Sequence, residues 1–96
     1  MVISVEEVKE ALRVDGDEDD AFIASLIRNA VSKAESFCRV SFSDSETVPG
    51  AVIQAIILQV SHWYQYRDES ETGAYNATEA AFRALLWPHR DEEQIF

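Results

Sequence analysis

Between Val52 and Tyr66 apolar residues recur at helical spacing, and no other feature of this chain narrows its fold as much. Val52, Ile53, Ile56, Ile57, Val60, Trp63 and Tyr64 span a stripe of about 140° on an ideal helical wheel. A strand of period two cannot place them on one side. The opposite side is not cleanly polar, because Ala55, Leu58, His62 and Tyr66 stand there among Gln54, Gln59 and Gln65. A helix that is apolar nearly all round is covered from more than one direction. In a chain of 96 residues, part of that cover is expected to come from another subunit.

The remaining segments read as helices of ordinary amphipathic kind. Ser4 and Glu7 have capping-box spacing, with Ile3 and Val8 in the staple positions around them, so a short helix is expected from Val5 to Leu12. The acidic run Asp15-Gly16-Asp17-Glu18-Asp19-Asp20 ends it and leads into a second helix, Asp19 to Arg39. Phe22, Ile23, Leu26, Ile27, Ala30, Ala34, Phe37 and Cys38 fall on one half of that helix. Val40 to Val48 is a polar connection with extended character around Val40-Ser41-Phe42, and Pro49 is expected at the first position of the third helix, which runs to about Arg67. Asp68 to Ala77 reads as an acidic loop. Asn76 and Glu79 then frame a short fourth helix carrying Phe82, Leu85 and Leu86, and Pro88 stops it near Trp87. The expected architecture is all-α, a small bundle of about four helices, two long and two short, in one domain over residues 1–96. Residues 90–96 read as a flexible charged tail that ends in the apolar pair Ile95-Phe96.

Charge and cysteine content remove several classes of function. Against 18 acidic side chains stand 8 basic ones, a net charge of −10, and the basic residues are scattered singly. Proteins that hold nucleic acid by its phosphates need the reverse balance, clustered on one face. A surface past which DNA slides without sticking is compatible with this charge. Cys38 is the single cysteine and lies on the apolar side of the second helix, so it reads as a small buried hydrophobe and no internal disulfide is possible. The first twelve residues lack the basic and apolar blocks of a signal peptide, and no run approaches about 18 apolar residues. The chain is expected to be made in the cytoplasm and to stay soluble, with no membrane partner. The sequon Asn76-Ala77-Thr78 is then without meaning.

The residues offer little for catalysis. The run from Asp15 begins like a calcium loop, but such a loop needs glycine at its sixth position and glutamate at its twelfth, where this chain has Asp20 and Leu26. Counting from Asp17 places Phe22 and Arg28 there. A solvated helix lead-in is the better reading. His62 and His89 are the two histidines and neither has zinc-ligand spacing to a partner. No Gly-x-Ser-x-Gly turn and no glycine-rich phosphate loop occurs. The segment His62-Trp63-Tyr64-Gln65-Tyr66 has one basic neighbour, Arg67, which is a poor basis for base stacking. No catalytic, cofactor or metal residues are assigned, and the chain is not expected to be an enzyme. The residues expected at a subunit interface are Leu58, His62 and Tyr66 on the second side of the third helix, with Ile95 and Phe96 at the tail.

Three stretches together resemble a known family. They are Ser4 to Asp17, a short helix into an acidic turn; Val48-Pro49 with Ala55-Ile56-Ile57-Leu58 and Trp63-Tyr64-Gln65-Tyr66-Arg67-Asp68; and Ala84-Leu85-Leu86-Trp87-Pro88-His89-Arg90. In this order they are similar to the small head–tail connector (adaptor) proteins of long-tailed bacteriophages, also described as DNA-packaging proteins, with His89 where tyrosine is usual. The loop from Asp68 to Ala77 and the tail after Arg90 carry no part of the likeness. The resemblance implies a structural subunit of a ring below the portal, joining capsid to tail, with DNA passing through its channel. It implies as partners the chain itself in about twelve copies around a closed rotation, the portal protein and a tail-side completion protein. It also implies a place at the head–tail junction of the virion, after assembly in the host cytoplasm. The alternative is a cytoplasmic helical interaction or regulatory module that binds one partner through Leu58, His62 and Tyr66. An ion- or nucleotide-responsive enzyme fragment is the weakest reading.

Overall fold

The computed structural model describes residues 3–42, 48–66 and 72–90, with the backbone alone over 72–76. Four α-helices follow in order: α1 (Val5–Leu12), α2 (Asp20–Cys38), α3 (Gly50–Gln65) and α4 (Thr72–Leu86). The last continues into a 3-10 turn, Trp87–His89. No strand forms among the described residues, and the architecture is the small all-α bundle that the periodicity predicts.

The first helix begins where its cap dictates. The Glu7 N–H donates to Ser4 Oγ at 3.1 Å, and the Ser4 N–H donates back to Glu7 Oε1 at 3.1 Å, which completes the capping box. Ile3 and Val8 of the staple are both buried, at 1 % and 0 % exposure. Arg13 ends the helix in the left-handed region (φ 60°), where its N–H donates to Glu10 and Lys9 carbonyls. Arg39 ends α2 in the same way, at the position where glycine is usual.

The core is built around α2. Ile23, Ile27, Ala30, Ala34 and Cys38 are fully buried and Leu26 nearly so, with Phe22 and Phe37 at the margins. Each fully buried isoleucine contributes about 1.5–3 kcal/mol. Burial pushes the Cys38 thiol up from its ordinary pKa, and its Sγ lies 3.8 Å from the Leu86 carbonyl oxygen it faces. After α2 the chain does not pair as a strand at Val40–Phe42. Phe42 turns into the core and its N–H donates to Glu35 Oε2 at 2.7 Å.

Three boundaries differ from the sequence expectation. Pro49 is the N-cap of α3 and not its first residue: its ψ of 147° is extended, and its carbonyl accepts from Val52 and Ile53. At the other end, Tyr66 caps the helix, and Arg67 lies outside the described residues. The fourth helix is longer than expected. It starts at Thr72, inside the stretch read as a loop, so Asn76 is an interior residue of α4 and does not cap it. Pro88 does end it: α4 stops at Leu86 and the 3-10 turn carries the proline.

The longer α4 also changes what covers α3. On the strongly apolar side Val52, Ile56 and Val60 are fully buried. On the second side Ala55, Gln59 and His62 are buried as well, and α4 of the same chain packs closely along α3. The chain itself therefore supplies much of the cover that the sequence assigned to a neighbouring subunit.

Candidate contact groove between α3 and α4

What holds α4 against α3 is a polar knot centred on Lys33 of α2. Its ammonium donates to Gln59 Oε1 at 2.6 Å and to Glu79 Oε1 at 2.6 Å, joining three helices. The ammonium also stands 4.5 Å from the centroid of Phe82 and 5.9 Å from that of Trp63, within cation–π range. Gln59 is 1 % exposed, so its amide would be costly without this partner. Lys33, by its hydrogen bond, holds the Glu79 carboxyl below the usual carboxylate range, and Arg83 Nε adds a second bond at 3.0 Å.

Beside the knot the two helices leave an open groove of about 270 Å³. Leu58, His62 and Tyr66 from α3 line it, with Ala77 and Thr78 from α4 opposite. All three α3 residues expected at an interface thus come together on one surface. Leu58 and Tyr66 are half-buried, while His62 is buried. The reason is α4: Thr78 Oγ1 lies 3.1 Å from His62 Nδ1, and the Tyr66 ring lies 4.9 Å from the imidazole, centroid to centroid. The imidazole thus forms the floor of the groove and joins its two walls. Ile95 and Phe96, the other two expected contact residues, lie outside the described residues, as does the rest of the tail beyond Arg90.

Sequence reasoning missed Ala77 and Thr78, because it placed the loop up to Ala77. The signal was present: Ala74, Ala77, Ala81 and Ala84 recur at helical spacing, a run of small residues that extends upstream of the expected start.

The acidic run has a structural use. Lys9 reaches Asp20 Oδ1 at 2.8 Å and Asp17 Oδ1 at 3.4 Å, and the hydrogen bond to Asp20 above all raises the lysine pKa. The Tyr64 hydroxyl donates to Asp19 Oδ2 at 2.6 Å, tying the end of α3 to the start of α2. Among the described residues no group of three or more His, Cys, Asp or Glu side chains is arranged to hold a metal ion. No described helix is long and apolar enough to cross a membrane.

These features describe a helical unit with an open groove between α3 and α4. Residues 2–86 match the family model described as phage gp6-like head–tail connector protein. No curated protein matches the chain significantly. Among solved structures, gp6 of bacteriophage HK97 superimposes with a TM-score of 0.79 at 24 % identity, covering 94 % of each chain. At that identity the likeness speaks for the fold.

Proposed function

The chain belongs to the family of phage gp6-like head–tail connector proteins, and we propose that it serves as a structural subunit, without catalysis, of a closed ring at the head–tail junction of the virion. The observation that carries this reading is the extent of the family match, which runs from before α1 to the last residue of α4. In the ring, about twelve copies meet by heterologous contacts, one patch on each subunit against a different patch on the next. The portal protein lies on one side and a tail-side protein on the other, and DNA passes through the channel. The net charge of −10 supports a channel wall that does not grip the duplex.

Within this reading the groove of Leu58, His62 and Tyr66 is a contact surface of the assembled particle. It is open, it mixes the apolar Leu58, Tyr66 and Ala77 with the polar Ser61, His62, Gln65 and Thr78, and its two walls are joined through His62 and Thr78. The Ile95-Phe96 end of the tail is a second contact.

The test is the mass of the purified chain by size-exclusion chromatography with light scattering across concentration, alone and with purified portal. A discrete species near twelve times 10.8 kDa is expected. Leu58→Asp should prevent assembly while leaving the helical circular dichroism intact, since Leu58 is only half-buried in the monomer. A chain that stays monomeric both alone and with portal would sink the ring reading.

A further inference from the structure

A second surface, on the other flank of α3, is shaped for a side chain that this protein itself displays. Ile3, Ala11, Ile53 and Ile57 wall an open groove of about 370 Å³ between α1 and α3, and Glu7 and Glu10 line it as well. The size is near the lower end of pockets that take a small ligand, enough for one large aromatic side chain. Its chemistry asks for an apolar group flanked by positive charge.

Trp87 has that form. It is the large hydrophobic residue left exposed among those described, at 56 %, where such side chains are ordinarily buried. Two guanidinium groups stand near it, that of Arg90 and that of Arg83, the second already paired through Nε with Glu79. The Arg90 guanidinium lies 3.3 Å from the Trp87 ring centroid, the Phe37 ring lies 6.5 Å from it, centroid to centroid, and Arg83 stands 5.5 Å from Phe37. The 3-10 turn imposed by Pro88 projects this indole from the end of α4. Knob and groove share no residue, and within one chain Trp87 packs against Phe37, not in the groove.

We propose that Trp87 of one copy inserts into the α1–α3 groove of the next, with Arg83 and Arg90 facing Glu7 and Glu10. The occupant is a second copy of this chain because size, apolarity and sign of charge all match. A protrusion on one part of the surface that fits a pocket on another makes a heterologous contact, which propagates until the rotation closes. Tryptophan and arginine are the residue types that most often dominate such contacts. The inference rests on the self-assembly reading above and adds to it the pair of surfaces that meet.

Two substitutions separate the halves of the contact. Trp87→Ala removes the knob and leaves the groove; Ala11→Trp fills the groove from an exposed helix position and leaves the knob. Each variant alone should weaken self-association by about tenfold or more, with unchanged circular dichroism. Mixed in equal amounts, the two should form one intact contact and no more, a species of twice 10.8 kDa that does not grow with concentration. Assembly of wild type should also weaken as salt screens the arginine–carboxylate pairs. If both variants assemble as wild type does, the inference falls and the ring reading stands. It falls equally if each variant is monomeric but the mixture makes no dimer, or if Ala11→Trp blocks portal binding while self-assembly persists. A wild-type chain that remains monomeric alone and with portal overturns both.

Discussion

The α1–α2 corner and the α3–α4 pair are held by different means. The first is secured by groups close in sequence: Ser4 with Glu7 three residues on, Ile3 with Val8, and Lys9 with Asp17 and Asp20. The second depends on one lysine from a third helix, whose partners Gln59 and Glu79 lie 26 and 46 residues away. Local devices form with the helices they cap, whereas the Lys33 knot exists only once three helices have met. Unequal resistance to perturbation should follow, with α4 the element that loosens first.

The sharpest way to break this contrast is at the apolar anchor of α4. Phe82 is 1 % exposed and lies beneath the Lys33 ammonium, so Phe82→Ala should cost about 3–5 kcal/mol in urea unfolding. In a domain whose total stability is about 5–15 kcal/mol, that is enough to release α4. Lys33→Met should cost about 1–3 kcal/mol, because it strands the buried Gln59 amide oxygen and leaves the Glu79 carboxylate to Arg83 alone. Hydrogen exchange should then accelerate in α4 and leave α1 unchanged. Equal acceleration in both helices would show that the two regions are one cooperative unit.

Ser4→Ala should cost about 1 kcal/mol, and exchange should rise in the first turn of α1 alone. The smallest effect is expected from pH. Glu79 is held below the unfolded carboxylate range, so the unfolded chain binds the proton more readily. Its contribution is complete above the unfolded pKa, about 4.3, and is lost as pH falls through the lower folded value. Glu79→Gln should therefore flatten the fall in urea midpoint below that pH, relative to wild type. An unchanged acid profile would mean that the Lys33–Glu79 pair contributes nothing to stability.

Much of the molecule was legible in the residues alone, for a reason particular to each part. The limits of α1 followed from Ser4, Glu7 and the staple, since a helix start is decided within about four residues. The buried face of α2 followed from its period, and the end of α4 from Pro88. The start of α4 did not, because the alanine period from Ala74 is a weak signal next to a glycine, and packing on α3 decides whether those turns fold. The candidate groove was half legible: Leu58, His62 and Tyr66 were recognisable as surplus apolar residues on α3, but Ala77 and Thr78 were not.

The sequence by itself determined the all-α class, the α1 and α2 boundaries, the burial of Cys38 and the family likeness, because these rest on spacing and on residues near one another. Tertiary structure alone decided that α4 covers the second side of α3 and that Lys33 binds Gln59 and Glu79. It also decided that His62 lies on a groove floor, and that Trp87 stands out beside Arg90 while a groove on α1 and α3 stays open. These are relations between segments dozens of residues apart, and no local preference encodes which of many similar helix faces will meet.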